Sequence, residues 1–291
     1  MTGKASGASR TVLLWSALLS PTFLLLSTLL ICSLFVLRMS FGERNAEFST
    51  WTLSSYMALA DHYFIRIVAN TILYAFGSAI LTTILAFPVA LYIVRTPSQF
   101  RRRLALVFIM LPMLLSLLVQ SYGWTAVLGP DGLLNRAMQQ LTGKERVFSL
   151  LFNETGVMLG LIQTSLPLAV LPQISSLRQI SRQHEEAASV LGAPRWKVYT
   201  KIIVPLMWPG IAAGSLLVFG FNAGAFVVPL ILGGLKVTTV ALAISDQMGT
   251  LLNWPLGSAL SVLLICITVT MQIVYRAWAP KSPLDTSQHG N

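Results

Sequence analysis

The sequence has little charge, almost no cysteine and almost no histidine. Only 10% of its 291 residues are Asp, Glu, Lys or Arg, against roughly 25% in a soluble domain. So few charged side chains cannot cover a water-facing surface, which excludes an ordinary soluble globular protein. The two cysteines, Cys32 and Cys266, both lie inside apolar runs. A disulfide framework needs more thiols in an extracellular loop setting, so both read as small buried hydrophobes. Cys32 follows Ile31, where a lipoprotein site needs a small residue. His62, His184 and His289 are scattered, and "QHEEAAS" around His184 lacks the second histidine of a zinc-binding helix. Glu185 and Glu186 are adjacent, so on a helix they point about 100° apart and cannot face each other as an acid–base pair. Gly143-Lys144 is followed by Glu145 and lacks the upstream glycine of the motif, so the G-x-x-x-x-G-K-[ST] phosphate loop is missing. These absences leave no catalytic residues, no metal ligands and no ATP site in the usual form.

What the chain does have is apolar length: 55% of it is hydrophobic. Six runs reach the roughly 20 residues needed to cross a bilayer as a helix. They are Val12–Leu37, Ile67–Val94, Leu104–Leu128, Val157–Leu177, Leu206–Leu232 and Leu256–Tyr275. The first is uncharged from Thr11 to Leu37, longer than the roughly 7–15 residues of a signal core. No small-x-small cleavage pattern follows it, so it is expected to stay as an anchor. The reading is an all-α polytopic protein, one membrane domain over residues 1–291, with the first ten residues and the tail after Pro280 loose.

Six crossings put both termini on one side, and the basic residues choose which. The terminal side holds 13 of them: Lys4, Arg10, Arg95, Arg101, Arg102, Arg103, Arg178, Arg182, Arg195, Lys197, Lys201, Arg276 and Lys281. The other side holds 7, in longer loops: Arg38, Arg44, Arg66, Arg136, Lys144, Arg146 and Lys236. Both termini are therefore expected in the cytoplasm of a bacterial inner-membrane protein. The net charge of +10 reads as this topology signal and not as a nucleic-acid footprint. No ionisable residue lies well inside any run, which argues against proton relays and intramembrane metalloproteases. Pro88, Pro112, Pro167, Pro172, Pro209 and Pro229 lie in or near the runs, either as tolerated kinks or as hinges. Asn70, Tyr122, Trp124, Gln163 and Asn222 are the polar and aromatic candidates for a solute path. Each has a competing role, as glue between helices or as an interfacial belt residue.

The polar exception to this apolar chain is the stretch 178–205, before the fifth run. "SRQHEEAASVL" is a good helix former with acids near its start. Gly192-Ala193-Pro194 stops it, since glycine takes the left-handed cap and proline cannot continue the helix. "RWKVYTKII" begins a second helix, with Trp196, Tyr199 and Ile203 on one face by their spacing. The stretch reads as a surface amphipathic loop or as a docking surface.

It resembles the EAA loop of permease subunits in ATP-binding-cassette (ABC) importers. That pattern is E-A-A, three residues, G, nine residues, I, one residue, L, P. Here Glu186, Ala187, Ala188, Gly192, Ile202 and Pro205 match, and Val204 stands where leucine is usual. "WTLSSYMALADHYFIRIVANTILYAFGSA", "YGWTAVLGPDGLLN" and "GAFVVPLILGG" are similar to pieces of the spermidine/putrescine permease branch.

The resemblance implies a type I ABC importer permease fold and a non-catalytic subunit forming half of a solute pathway, for a polyamine or a related small organic solute. It implies four kinds of partner: an ABC ATPase dimer, a second homologous permease subunit, a periplasmic solute-binding protein and the lipid bilayer. It implies no cofactor in this chain, with ATP and Mg on the ATPase. The loop would act as a coupling helix. Glu186 would make a charge-assisted contact with the ATPase, Ala187 and Ala188 would pack closely, Gly192 would make the turn, and Ile202 and Pro205 would join the loop to the fifth span. Glu185→Lys is expected to be milder than Glu186→Lys. A self-contained carrier or channel is the alternative, and it leaves the loop pattern unexplained.

Overall fold

The computed structural model describes residues 5–44, 51–143, 148–234 and 236–278, with side chains described from Pro21 onward in the first helix and up to Tyr275 in the last. Of the two ends expected to be loose, residues 1–4 and the tail after Pro280 lie outside the described residues, and so do Lys144 and Arg146. The first helix begins at Ala5.

Among the described residues all regular structure is helical. In chain order the helices are α1 (Ala5–Ser40), α2 (Ser54–Ala58), α3 (His62–Arg95), α4 (Gln99–Leu114), α5 (Leu117–Leu128) and α6 (Leu133–Thr142). There follow α7 (Glu154–Arg178), α8 (Gln183–Val190), α9 (Arg195–Val198), α10 (Val204–Ala223), α11 (Val240–Ser245) and α12 (Trp254–Trp278). Three π-helical turns, at Tyr199–Ile203, Pro229–Gly233 and Asp246–Thr250, sit between them. Four helices are long and apolar enough to cross a membrane, or six if each of two bent pairs is one span.

The chain divides into two compact units, Met1–Asp61 with Ile244–Leu263, and His62–Ala243 with Leu264–Asn291. In the first, α1 leaves Phe23, Leu26, Leu30 and Phe35 exposed, as a lipid-facing helix must. Its end is fastened by polar and aromatic contacts. Ser40 shares a hydrogen bond of 2.7 Å with the Tyr56 hydroxyl, and Phe41 packs on Tyr56 with ring centroids 5.2 Å apart.

The second unit is built on α3, α7 and α10. Small side chains line their contact: Ala75, Ala79, Ala86 and Ala90 on α3, Ala169 on α7 and Ala223 on α10 are all buried. Without a hydrophobic drive between helices in lipid, close backbone approach supplies the packing. Gly210 is the tightest point of α10 against α7. A Cβ there would lie 2.4 Å from Ser176 Cβ and 2.7 Å from the Pro172 carbonyl oxygen. The buried Asn222 amide joins all three helices, donating to Ser78 Oγ at 2.8 Å and Ser165 Oγ at 3.2 Å.

Two expected spans need correction. The third, Leu104–Leu128, is not one helix: α4 stops at Leu114 and the chain turns by 104°. The break is chemically closed. Ser116 caps the new helix by accepting from Leu118 N–H at 3.3 Å. Gln120 Nε2 donates back to the carbonyls of Pro112 at 2.6 Å and Leu115 at 3.0 Å. The fifth span does not run from Leu206 to Leu232. Its helix bends by 70° around Met207 and ends at Ala223, and the chain resumes as the π turn led by Pro229. Pro112 and Pro209 lie beside these two bends, whereas Pro88, Pro167 and Pro172 are carried inside uninterrupted helices. Cys32 and Cys266 are exposed, not buried as expected, because an apolar helix in lipid turns its small hydrophobes outward as readily as inward.

Candidate functional site

The stretch between α7 and α10 folds as a helix, a tight turn and a second helix. Glu185 and Glu186 stand in the first turn of α8, where the exposed amides favour negative charge. The helix ends at Gly192, whose φ is +74°. Gly192 N–H donates to the Ser189 carbonyl at 3.0 Å and Ala193 N–H to the Ala188 carbonyl at 3.0 Å. These two bonds form a Schellman turn, which satisfies carbonyls left free at the helix end. Pro194 is extended and starts α9. The second helix then runs through the Tyr199–Ile203 π turn directly into α10, so no separate entry residue divides loop from span.

The loop has two faces. Ala188, Val198 and Ile203 are buried with Leu177 on α7, Ile180 just after it and Met207 on α10. The two alanines expected to pack closely face different surroundings: Ala187 is exposed and Ala188 faces inward. Ile202 is partly buried against the same cluster, and Pro205 is exposed in the first turn of α10. Glu186 is exposed, alongside Val190 at 87% and Leu191 at 86%. Trp196 is also exposed, with the Lys197 ammonium 5.6 Å from its ring centroid. Trp196 therefore does not share the environment of the buried Ile203, because the π turn between them shifts the helical register. The exposed Val190-Leu191 pair escaped sequence reasoning, although two apolar residues just before a glycine turn in a polar stretch are a readable signal.

Glu185 has a different part from its neighbour. Its carboxylate pairs with the Arg95 guanidinium at the end of α3, and both side chains are mostly shielded, at 17% and 23% exposure. Glu185 thus has a partner within the chain, and reversing its charge breaks a shielded ion pair. A cavity of about 370 Å³ opens between His184, Gln179 and Ser176 and the α10 residues Pro209 and Gly210.

Of the solute-path candidates, the structure brings two together: Trp124 Nε1 donates to Gln163 Oε1 at 3.2 Å. Tyr122 is exposed on α5 and Asn70 half-buried on α3. Asn222 is enclosed among α3, α7 and α10 and serves as the glue described above. Among the described residues no group of three His, Cys, Asp or Glu side chains is placed to hold a metal ion.

Comparison with known proteins gives a consistent picture. The model of the family "Binding-protein-dependent transport system inner membrane component" matches residues 79–282. The spermidine/putrescine transport system permease protein PotB of Haemophilus influenzae is 31% identical over 252 residues, 85% of this chain and 88% of that protein. PotB of Escherichia coli K12 is 30% identical over 225 residues, 77% of this chain and 82% of that one. A chain of a bacterial alginate ABC transporter, solved in complex with an alginate pentasaccharide-bound periplasmic protein, superposes with a TM-score of 0.78 at 18% identity. The match covers 96% of this chain and 98% of that one.

Proposed function

This chain belongs to the family of binding-protein-dependent transport system inner membrane components, and from that premise we propose that it is the permease subunit of an ABC importer. It forms half of a solute pathway with a second permease subunit and is driven by a separate ATPase dimer that holds ATP and Mg. A periplasmic binding protein delivers the solute. One observation supports this reading above the others. The loop places Glu186, Ala187, Val190 and Leu191 outward around a glycine turn, while its inner face is seated on the spans. The outer face suits the ATPase: a carboxylate for a charge-assisted contact, and small and apolar side chains for close packing. ATP-driven closure of the ATPase then moves the loops of both permeases, and the spans rock between inward and outward openings.

The solute is a polyamine or a related small organic molecule, a class supported by the two PotB relatives. The apolar runs supply no carboxylate, so cation recognition falls to the binding protein. Passage through this chain uses aromatic and dipolar groups such as the Trp124–Gln163 pair.

The purified chain in liposomes neither hydrolyses ATP nor takes up solute. Adding the ATPase, the second permease and the binding protein restores both activities. Uptake by the chain alone would overturn this function in favour of a self-contained carrier.

Both termini and the α8–α9 loop lie in the cytoplasm. A cysteine placed at Lys197 reacts with impermeant thiol reagents only in inside-out vesicles, and reporters fused after Gly132 and after Lys197 read opposite sides. Labelling at position 197 from the periplasm would reverse the orientation.

A further inference from the structure

We propose that Arg95 and Glu185 form the tie through which movement of the α8 loop reaches α3, a role that rests on the coupling reading of that loop. Three contacts bind the end of α3 to the start of α8 and the residues just before it. The Arg95 guanidinium pairs with the Glu185 carboxylate, and its Nη2 also lies 3.5 Å from the Ile180 carbonyl. Arg182 Nη2 donates to the Arg95 carbonyl at 3.0 Å, closing one of the carbonyls left free at the helix end. Each helix end thus holds the other by a side chain.

The neighbouring acids divide two tasks. A turn of about 100° per residue sends Glu185 toward α3 and Glu186 outward. Beyond Arg95, α3 is a continuous helix of 34 residues. It carries Ser78, bonded to Asn222 on α10, and Thr71, whose Oγ1 accepts from Val240 N–H at 2.9 Å. A displacement at Arg95 is therefore delivered along a stiff rod to two buried polar joints.

The test uses the full transporter in liposomes and reads solute imported per ATP hydrolysed. Loss of folded complex lowers both quantities together, so this ratio separates transmission from stability. Glu185→Arg and Arg95→Glu each lower the ratio about tenfold, because each leaves a shielded charge facing its like. The exchanged pair, Glu185→Arg with Arg95→Glu, returns it to within about twofold of wild type. Co-purification with the ATPase is measured alongside. Single variants that keep the wild-type ratio overturn the proposal, as does an exchanged pair that assembles without recovering it. Single variants that fail to assemble, with assembly alone rescued by the exchange, reduce the pair to a purely structural one. Glu186→Lys in the same assay separates the two readings. An effect of Glu186→Lys without any effect at position 185 removes the tie and keeps the coupling loop. No effect of Glu186→Lys on the ratio, on the hydrolysis rate or on co-purification with the ATPase removes the coupling loop itself.

Discussion

Gly192→Val yields a chain that folds and inserts but loses solute-stimulated ATP hydrolysis in the assembled transporter by about tenfold or more. The backbone at Gly192 has φ +74°. A side chain there meets its own carbonyl, at a cost of roughly 1–2 kcal/mol for an L-residue and more for a β-branched one. A Cβ at this position meets no other atom within 4 Å, so the whole penalty is local and the spans are untouched. The local conformation gives way first. With it go the Gly192–Ser189 and Ala193–Ala188 hydrogen bonds, which set the angle between α8 and α9. Glu186 and Leu191 then no longer stand in a fixed relation to Trp196 and Lys197, and the surface offered to the proposed ATPase partner is no longer preformed. Ordering that surface again on binding costs free energy that the native turn has already supplied. Gly192→Asn is the control, because asparagine tolerates the left-handed region and keeps most of the stimulation. Extraction and elution of Gly192→Val as a monodisperse complex confirm that it folds. Wild-type stimulation by Gly192→Val would show that the turn has no part in coupling.

The features legible in the sequence were those set by local chemistry or by run length. Gly192-Ala193-Pro194 specifies a left-handed cap followed by a helix restart whatever surrounds it, and the structure has that turn. The apolar runs at 67–94 and 157–177 are strong enough to define helices that the structure extends by a few residues. Where two structures share one hydropathy, the sequence is silent. Leu104–Leu128 is long and mostly apolar, so run length alone does not show the 104° break. Only Pro112, Ser116 and Gln120, polar or disruptive residues inside an apolar run, mark it, and their meaning depends on which carbonyls they meet. Non-local partners are equally hidden. Nothing near Glu185 points to Arg95, ninety residues earlier, and nothing distinguishes Ala187 from Ala188 until Leu177 and Met207 are placed behind the loop. Asn222 is polar in a membrane helix on any reading. Its assignment as glue required the two hydroxyls, Ser78 and Ser165, that receive its amide.

Glu186→Lys and Leu191→Ser weaken the permease–ATPase contact by different terms and spare the fold. Glu186 is exposed in the first turn of α8, where reversing a surface charge against the helix dipole costs about 0.3–1 kcal/mol. That cost leaves the chain folded. At the proposed ATPase interface the same reversal opposes the partner charge that the coupling reading expects there, and losing a buried charge pair costs about 2–5 kcal/mol. Glu186→Lys therefore weakens the contact by at least about thirtyfold, since each 1.4 kcal/mol is a factor of ten. Leu191 is 86% exposed in the isolated chain. Burying a leucine is worth about 1.5–3 kcal/mol, so Leu191→Ser loses about ten- to a hundredfold and improves the behaviour of the unassembled chain in detergent. Salt separates the two terms. Raising ionic strength weakens the wild-type contact and narrows the gap to Glu186→Lys in part, because a buried pair is screened less than an exposed one. It leaves the gap to Leu191→Ser unchanged. The measurement is titration of the ATPase onto the permease complex in nanodiscs at two salt concentrations, with solute-stimulated hydrolysis read in parallel. Wild-type affinity for both variants would mean that the outward face of α8 is not where the ATPase seats.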